Sequence, residues 1–162
     1  MKTIQRERKA TIFIAFLCTA IPALVGYLYT KNKKETDYRA IKNYRVVLRW
    51  LENRNAKKSV GEYLERHNYN SFAVYGVGEM GKILLDELKQ VDKFPEYIIE
   101  RNSLYQPDFG VSMISYNEVG YMEEVDVVII TPIHIFMEIE NNLRSAGYQG
   151  KIISLEDIIF EK

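Results

Sequence analysis

The run Gly76-Val77-Gly78-Glu79-Met80-Gly81 has the residue types and spacing that let a backbone approach a phosphate. Gly76 permits a tight turn, Gly78 lacks the Cβ that would hold a phosphate away, and Gly81 lets a following helix pack closely on a sheet. Glu79 and Met80 open that helix, whose leading N–H groups and partial positive charge suit an anion. Glu100 lies 24 residues after Gly76, placed to accept hydrogen bonds from ribose hydroxyls. Arg101 beside it is either a phosphate or carboxylate contact or an exposed loop charge. Farther on, Thr131-Pro132-Ile133-His134 follows an apolar run, and Thr131 and His134 are expected to touch a sugar or distal phosphate.

Catalytic chemistry is sparse by comparison. His134 is the best acid/base candidate, but a lone loop histidine is more often a polar contact. His67 reads as structural. No His/Asp/Glu cluster has metal-ligand spacing, and the single cysteine, Cys18, makes neither an intrachain disulfide nor a cysteine metal site. Tyr38 and Lys42 match the Tyr-x-x-x-Lys spacing of short-chain dehydrogenases, yet they precede the glycine run, where that pair does not belong. The chain reads as a binding half without a reaction half, because only eight residues follow Ser154.

The elements that must position these residues are legible around them. Phe72–Tyr75 is a short apolar β-run before the glycines. A helix from Glu79 to Gln90 carries Met80, Ile83, Leu84 and Leu88 on its inner side, and Tyr97–Ile99 is a second strand ending in Glu100. Strand, glycine loop, helix, strand and acid make the first βαβ unit of a dinucleotide fold. Val111–Ile114, Asp126–Ile130 and Lys151–Ser154 are three further strands, with a helix over 138–146 that presents Ile135, Ile139 and Leu143 inward and stops at Gly147. Ser154 and Asp157 cap a terminal turn. The expected fold is α/β: a Rossmann-like parallel sheet of about five strands in the order 3-2-1-4-5, flanked by helices.

Upstream, Thr11–Tyr29 is a run of 19 residues without charge, enough for a helix of roughly 28 Å, close to the hydrocarbon thickness. Lys9 and Lys31 bound it, and Tyr27 and Tyr29 sit where an aromatic belt lies. A cleaved signal peptide and a buried core helix are the competing readings. The run is long for the first, and no small-residue cleavage site follows it; Leu17 beside Cys18 excludes a lipobox. A single-pass anchor is the reading adopted, with Pro22 tolerated inside it. Six basic residues follow it closely (Lys31, Lys33, Lys34, Arg39, Lys42, Arg45) against four before it, so the remainder of the chain is expected on the cytoplasmic side.

Thr36–Asn55 then has Tyr38, Ile41, Tyr44, Val47, Leu48 and Leu51 at helical spacing, an amphipathic helix that packs on the domain, pairs with a second copy or lies on the membrane. Ser59 and Glu62 make a capping box for a short helix with Val60, Tyr63 and Leu64 on its apolar face. The organisation is therefore 1–34 anchor, 35–70 helical linker and 71–162 binding domain. After Lys34 the chain carries 15 basic and 21 acidic residues, a balance of −6, which excludes nucleic acid as a general partner.

The segments FAVYGVGEMGKILLDEL, YIIERN, VDVVIITP and SLEDI resemble small Rossmann-like domains of bacterial surface-polysaccharide loci, some labelled nucleoside-diphosphate-sugar epimerases. They are also similar to the N-terminal nucleotide-sugar-binding domain of bacterial sugar acyltransferases, whose β-helical transferase part this chain lacks, and more weakly to nucleotide-sensing domains of potassium channels. The resemblance implies a nucleotide-sugar or NAD as ligand and a polysaccharide-assembly partner. Glu100 disfavours a 2′-phosphate, so NAD is expected over NADP. Other readings stay open: an NAD-dependent sugar-modifying enzyme completed by a partner, a nucleotide sensor for a membrane partner, and a ligand-free scaffold.

Overall fold

A computed structural model of the chain describes residues 2–101 and 110–161, with side chains from residue 21 onward. Two compact units divide it, Met1–Lys42 and Asn43–Lys162. The first unit is helical throughout its described residues, as the leading part of α1 (Lys2–Asn55), with Pro22 inside the helix. Ile21, Leu24, Val25 and Leu28 are all exposed there. Residues 11–20 of the expected membrane span lie outside the described side chains. Among the described residues no helix is long and apolar enough to cross a membrane.

The second unit is built on five short strands: β1 (Phe72–Tyr75), β2 (Tyr97–Glu100), β3 (Ser112–Ser115), β4 (Val127–Ile130) and β5 (Lys151–Ser154). All pairings are parallel, in the order β3-β2-β1-β4-β5, as expected from the sequence. Ala73 sits opposite both Tyr97 and Val128, which places β1 at the centre. Both β1 and β4 are buried at every position, because helices cover both faces of a parallel sheet.

The two-residue period of the strands sorts their side chains into two cores. Phe72, Val74, Ile98 and Ile129 face α2 (Val60–Arg66), α3 (Glu79–Lys89) and α5 (Leu155–Phe160). Ala73, Tyr75, Ile99 and Ile130 face α4 (Phe136–Ser145) and the 3-10 helix Tyr116–Tyr121. Ser59 closes the expected capping box with Glu62 at the start of α2. Gly147, at φ +98°, follows α4 and takes the left-handed conformation that lets the chain leave the helix.

Two helical faces differ from expectation. On α3, Ile83 is 40 % exposed, while Leu85 and Glu87 are buried with Met80, Leu84 and Leu88. The buried arc is displaced because α2 packs alongside α3 as well as the sheet does. Toward the end of α1, the residues that pack on the core are Val46 and Trp50, flanked by Val47; Tyr44, Leu48 and Leu51 stay exposed. Trp50 is selected by a polar contact as much as an apolar one. Its Nε1–H donates to Glu87 Oε2 at 2.6 Å, and Val60 N–H donates to Glu87 Oε1 at 2.8 Å. The buried carboxylate is thus satisfied by two donors, with Arg54 Nε 3.8 Å away, which is what makes its burial tolerable.

Candidate functional site

The carboxyl ends of the central strands gather most of the residues singled out above. β1 delivers Gly76 at φ +91°, a left-handed conformation that turns the chain sharply out of the strand. Gly76 N–H donates to Ile99 O at 2.9 Å, so the turn stays tied to β2. A Cβ on Gly81 would lie 2.1 Å from the Gly76 carbonyl oxygen, so only glycine admits this approach of α3 to the loop. At Gly78 the situation is the opposite: a Cβ there would meet nothing within 4 Å. Gly78 is the N-cap of α3, extended at φ −63° and ψ −169°, and no side chain caps the helix. The leading N–H groups of α3 therefore keep capacity for an outside acceptor.

Glu100 is hinged onto the same loop. Its Oε2 accepts from Val77 N–H at 3.1 Å and its Oε1 from Arg101 N–H at 2.9 Å. An ionised carboxylate has about four lone-pair sites, so these two bonds fix its direction and still leave room for hydroxyl donors. Arg101 does not stand alone beside it: Nη2 lies 2.9 Å from Glu138 Oε1 in the first turn of α4. Both side chains are more than half exposed, and a pair of that kind contributes about 0–1 kcal/mol. A ligand phosphate reaching Arg101 would compete with Glu138 for it.

Thr131, expected to touch a sugar or distal phosphate, is bonded to the backbone at the base of the loop. It is 3 % exposed, and its hydroxyl lies 3.1 Å from Tyr75 O and 3.0 Å from Gly76 O, donating to these two loop carbonyls. It supports the loop from beneath. Pro132 packs its ring where a Cβ on Gly76 would fall, 3.0 Å away. Met80 is buried in the core below the loop, and Glu79 is exposed in the first turn of α3. His134 is half-buried on the short 3-10 helix Ile133–Ile135.

Sequence reasoning missed Tyr75, Tyr116 and Glu138. Burial raises the pKa of the Tyr75 phenol, Arg101 opposes that rise, and Glu100, Tyr116 and Glu138 add to it. The phenol accordingly stays a neutral hydrogen-bonding group. Its place at the end of the first strand, directly before Gly76, was the signal available.

A cleft of about 320 Å³ opens at the other end of the sheet, among Ser71, Tyr97, Met122 and Val125. Glu96, Glu123 and Glu124 also line it, a charge that repels phosphate. Among the described residues no group of His, Cys, Asp or Glu could hold a metal ion.

Fold and loop together define an open α/β domain with helices on both sheet faces and a glycine turn at the carboxyl end of its central strand. No known family model and no curated protein matches the sequence.

Proposed function

We propose that this chain is a membrane-anchored protein that binds a nucleotide or nucleotide-sugar on a Rossmann-like domain, as an accessory or regulatory component of cell-envelope polysaccharide assembly. The observation that carries the binding reading is the division of labour among the three glycines. Gly76 supplies the turn, Gly81 the close helix approach, and Gly78 is open to solvent although packing does not require a glycine there. Open space over an uncapped helix start is what a diphosphate needs. Glu100, held by Val77 N–H, would then receive the ribose hydroxyls. The anchor rests on the apolar run Thr11–Tyr29 with its basic flanks, and the cytoplasmic placement on the excess of lysine and arginine after it. The pathway rests on the resemblance of the loop and strand motifs to surface-polysaccharide proteins.

The test is a thermal-shift series on the full chain in mild detergent with NAD(H), NADP(H), nucleotide-sugars and coenzyme A. Ligand at a hundredfold excess over its dissociation constant stabilises by about 2.7 kcal/mol. One class should raise Tm, and Gly78→Val should abolish the shift while melting unliganded near the wild-type temperature. A folded wild-type protein that shifts with none of them would leave the loop as a packing device only.

A further inference from the structure

The crossovers that follow the two central strands leave the sheet in opposite directions. α3 follows β1 onto the face of Val74 and Leu84, and α4 follows β4 onto the face of Tyr75 and Leu143. Such a divergence opens a crevice at the carboxyl ends of the two strands, where open α/β sheets take their ligands. In this protein an ion pair bridges it. Arg101 stands directly after β2 and Glu138 in the first turn of α4, with Nη2 2.9 Å from Oε1. Because β1 lies between β2 and β4, the pair joins elements that flank β1.

Two observations tie the pair to the glycine loop. Glu100 accepts from Val77 N–H of that loop at 3.1 Å and from Arg101 N–H at 2.9 Å, so one carboxylate holds loop and arginine together. The Tyr75 phenol, directly before Gly76, is 5 % exposed, and burial pushes its pKa up. Arg101 is the strongest charge acting on that phenol, and Glu138 acts on it too. Both members of the pair therefore stand near the end of β1, where the loop begins.

The pair is also weak. Both side chains are more than half exposed, and water screens charges held that way. A phosphate engages the fork of a guanidinium through two parallel hydrogen bonds, and one at the start of α3 gains the helix N–H groups besides. A neutral hydroxyl has no charge with which to draw the guanidinium away.

We infer that Glu138 is a built-in competitor at the ligand site. It holds Arg101 in the free protein and yields it to a phosphate of the ligand. It thereby sets the affinity for phosphorylated ligands below what the loop and Arg101 together would give. The inference rests on the reading of the glycine loop as a nucleotide site.

Isothermal titration of the full chain in mild detergent tests it, with inorganic pyrophosphate, ADP, UDP, adenosine and uridine as probes. Glu138→Gln should tighten pyrophosphate and the preferred nucleoside diphosphate about two- to fivefold, and Arg101→Gln should weaken them about tenfold. In the Arg101→Gln background, Glu138→Gln should change nothing, and affinity for the neutral nucleosides should be the same in every variant. Glu140→Gln removes an equal charge from the same helix, where Glu140 faces Arg144 instead, and should leave affinity unchanged. Equal affinities in wild type and Glu138→Gln would overturn the inference, as would tightening that persists without Arg101, which is a general charge effect. The nucleotide reading fails separately: pyrophosphate tightened by Glu138→Gln, with neither nucleotide bound, would keep the competitor and remove the nucleotide. A nucleotide bound equally by wild type, Glu138→Gln and Arg101→Gln would remove the competitor alone, and no binding of any probe to any variant would remove both.

Discussion

The two ends of the parallel sheet each carry a carboxylate bound by backbone N–H groups, and they use it differently. At the amino end, Asp126 Oδ2 accepts from Asn70 N–H at 2.7 Å and Ser71 N–H at 2.9 Å. Ser71 Oγ returns the contact by accepting from Asp126 N–H at 3.0 Å. The bonds form a closed ring that clasps the starts of β1 and β4. At the carboxyl end, Glu100 ties β2 to the loop through Val77 N–H, but the ring stops there. The next element, α3, begins on a glycine with open space above it and no side-chain cap. One kind of bond holds chain to chain at the first end; at the second it leaves an unfinished coordination shell, the opening on which the proposed nucleotide binding rests.

The sharpest way to break the contrast is to overfill the carboxyl end. Gly81→Val forces a side chain against the Gly76 carbonyl, a backbone atom that cannot give way. Stability should fall by about 3 kcal/mol in urea unfolding, with ligand binding lost as well. Gly78→Val, by contrast, loses only the ligand, so the pair separates scaffold from site.

At the amino end, Asp126→Asn should lower stability and leave ligand affinity unchanged. The hydrogen bonds from Ser71, then Asn70, hold the Asp126 carboxyl below its ordinary pKa of 3.8. A depressed carboxyl contributes stability above its unfolded pKa and loses it as pH falls through the lower folded value. Wild type should therefore lose this contribution in acid below about pH 3.8, and acid titrations of Tm should show a shallower fall in the variant. Equal acid limbs in both proteins would remove Asp126 from the account.

The smallest expected effect concerns Glu79, whose charge in the first turn of α3 already offsets the helix dipole where a phosphate would sit. Glu79→Gln should tighten binding of an anionic ligand about two- to fivefold, roughly 0.3–1 kcal/mol, and most at low salt. Isothermal titration at two ionic strengths measures it.

Much of the fold was legible because its signals are local. β1 and β5 begin and end where the sequence places them, and glycine loop, helix and acid mark the first crossover, from β1 to its neighbour β2. The 3-10 helix Tyr116–Tyr121 was missed although Ser115 and Glu118 spell a capping box. The inward faces of α1 and α3 were less legible, because they depend on which neighbour each helix meets. A buried Glu87 reads as a surface residue until Trp50 and Val60, 37 and 27 positions away, are seen to bond it. At the site, the glycines and Glu100 announced themselves by spacing. Thr131 did not disclose that its hydroxyl faces inward, and the Arg101–Glu138 pair joins residues 37 apart.

Trp50 is the only tryptophan in the chain. Its indole is 3 % exposed and donates to a carboxylate on α3, the helix whose opposite end opens on the glycine loop. The protein thus contains its own optical probe. Release of the last turns of α1 from α3 would move that indole into water and shift its emission to the red. A label-free fluorescence trace would then time the loosening of this joint separately from the melting of the sheet.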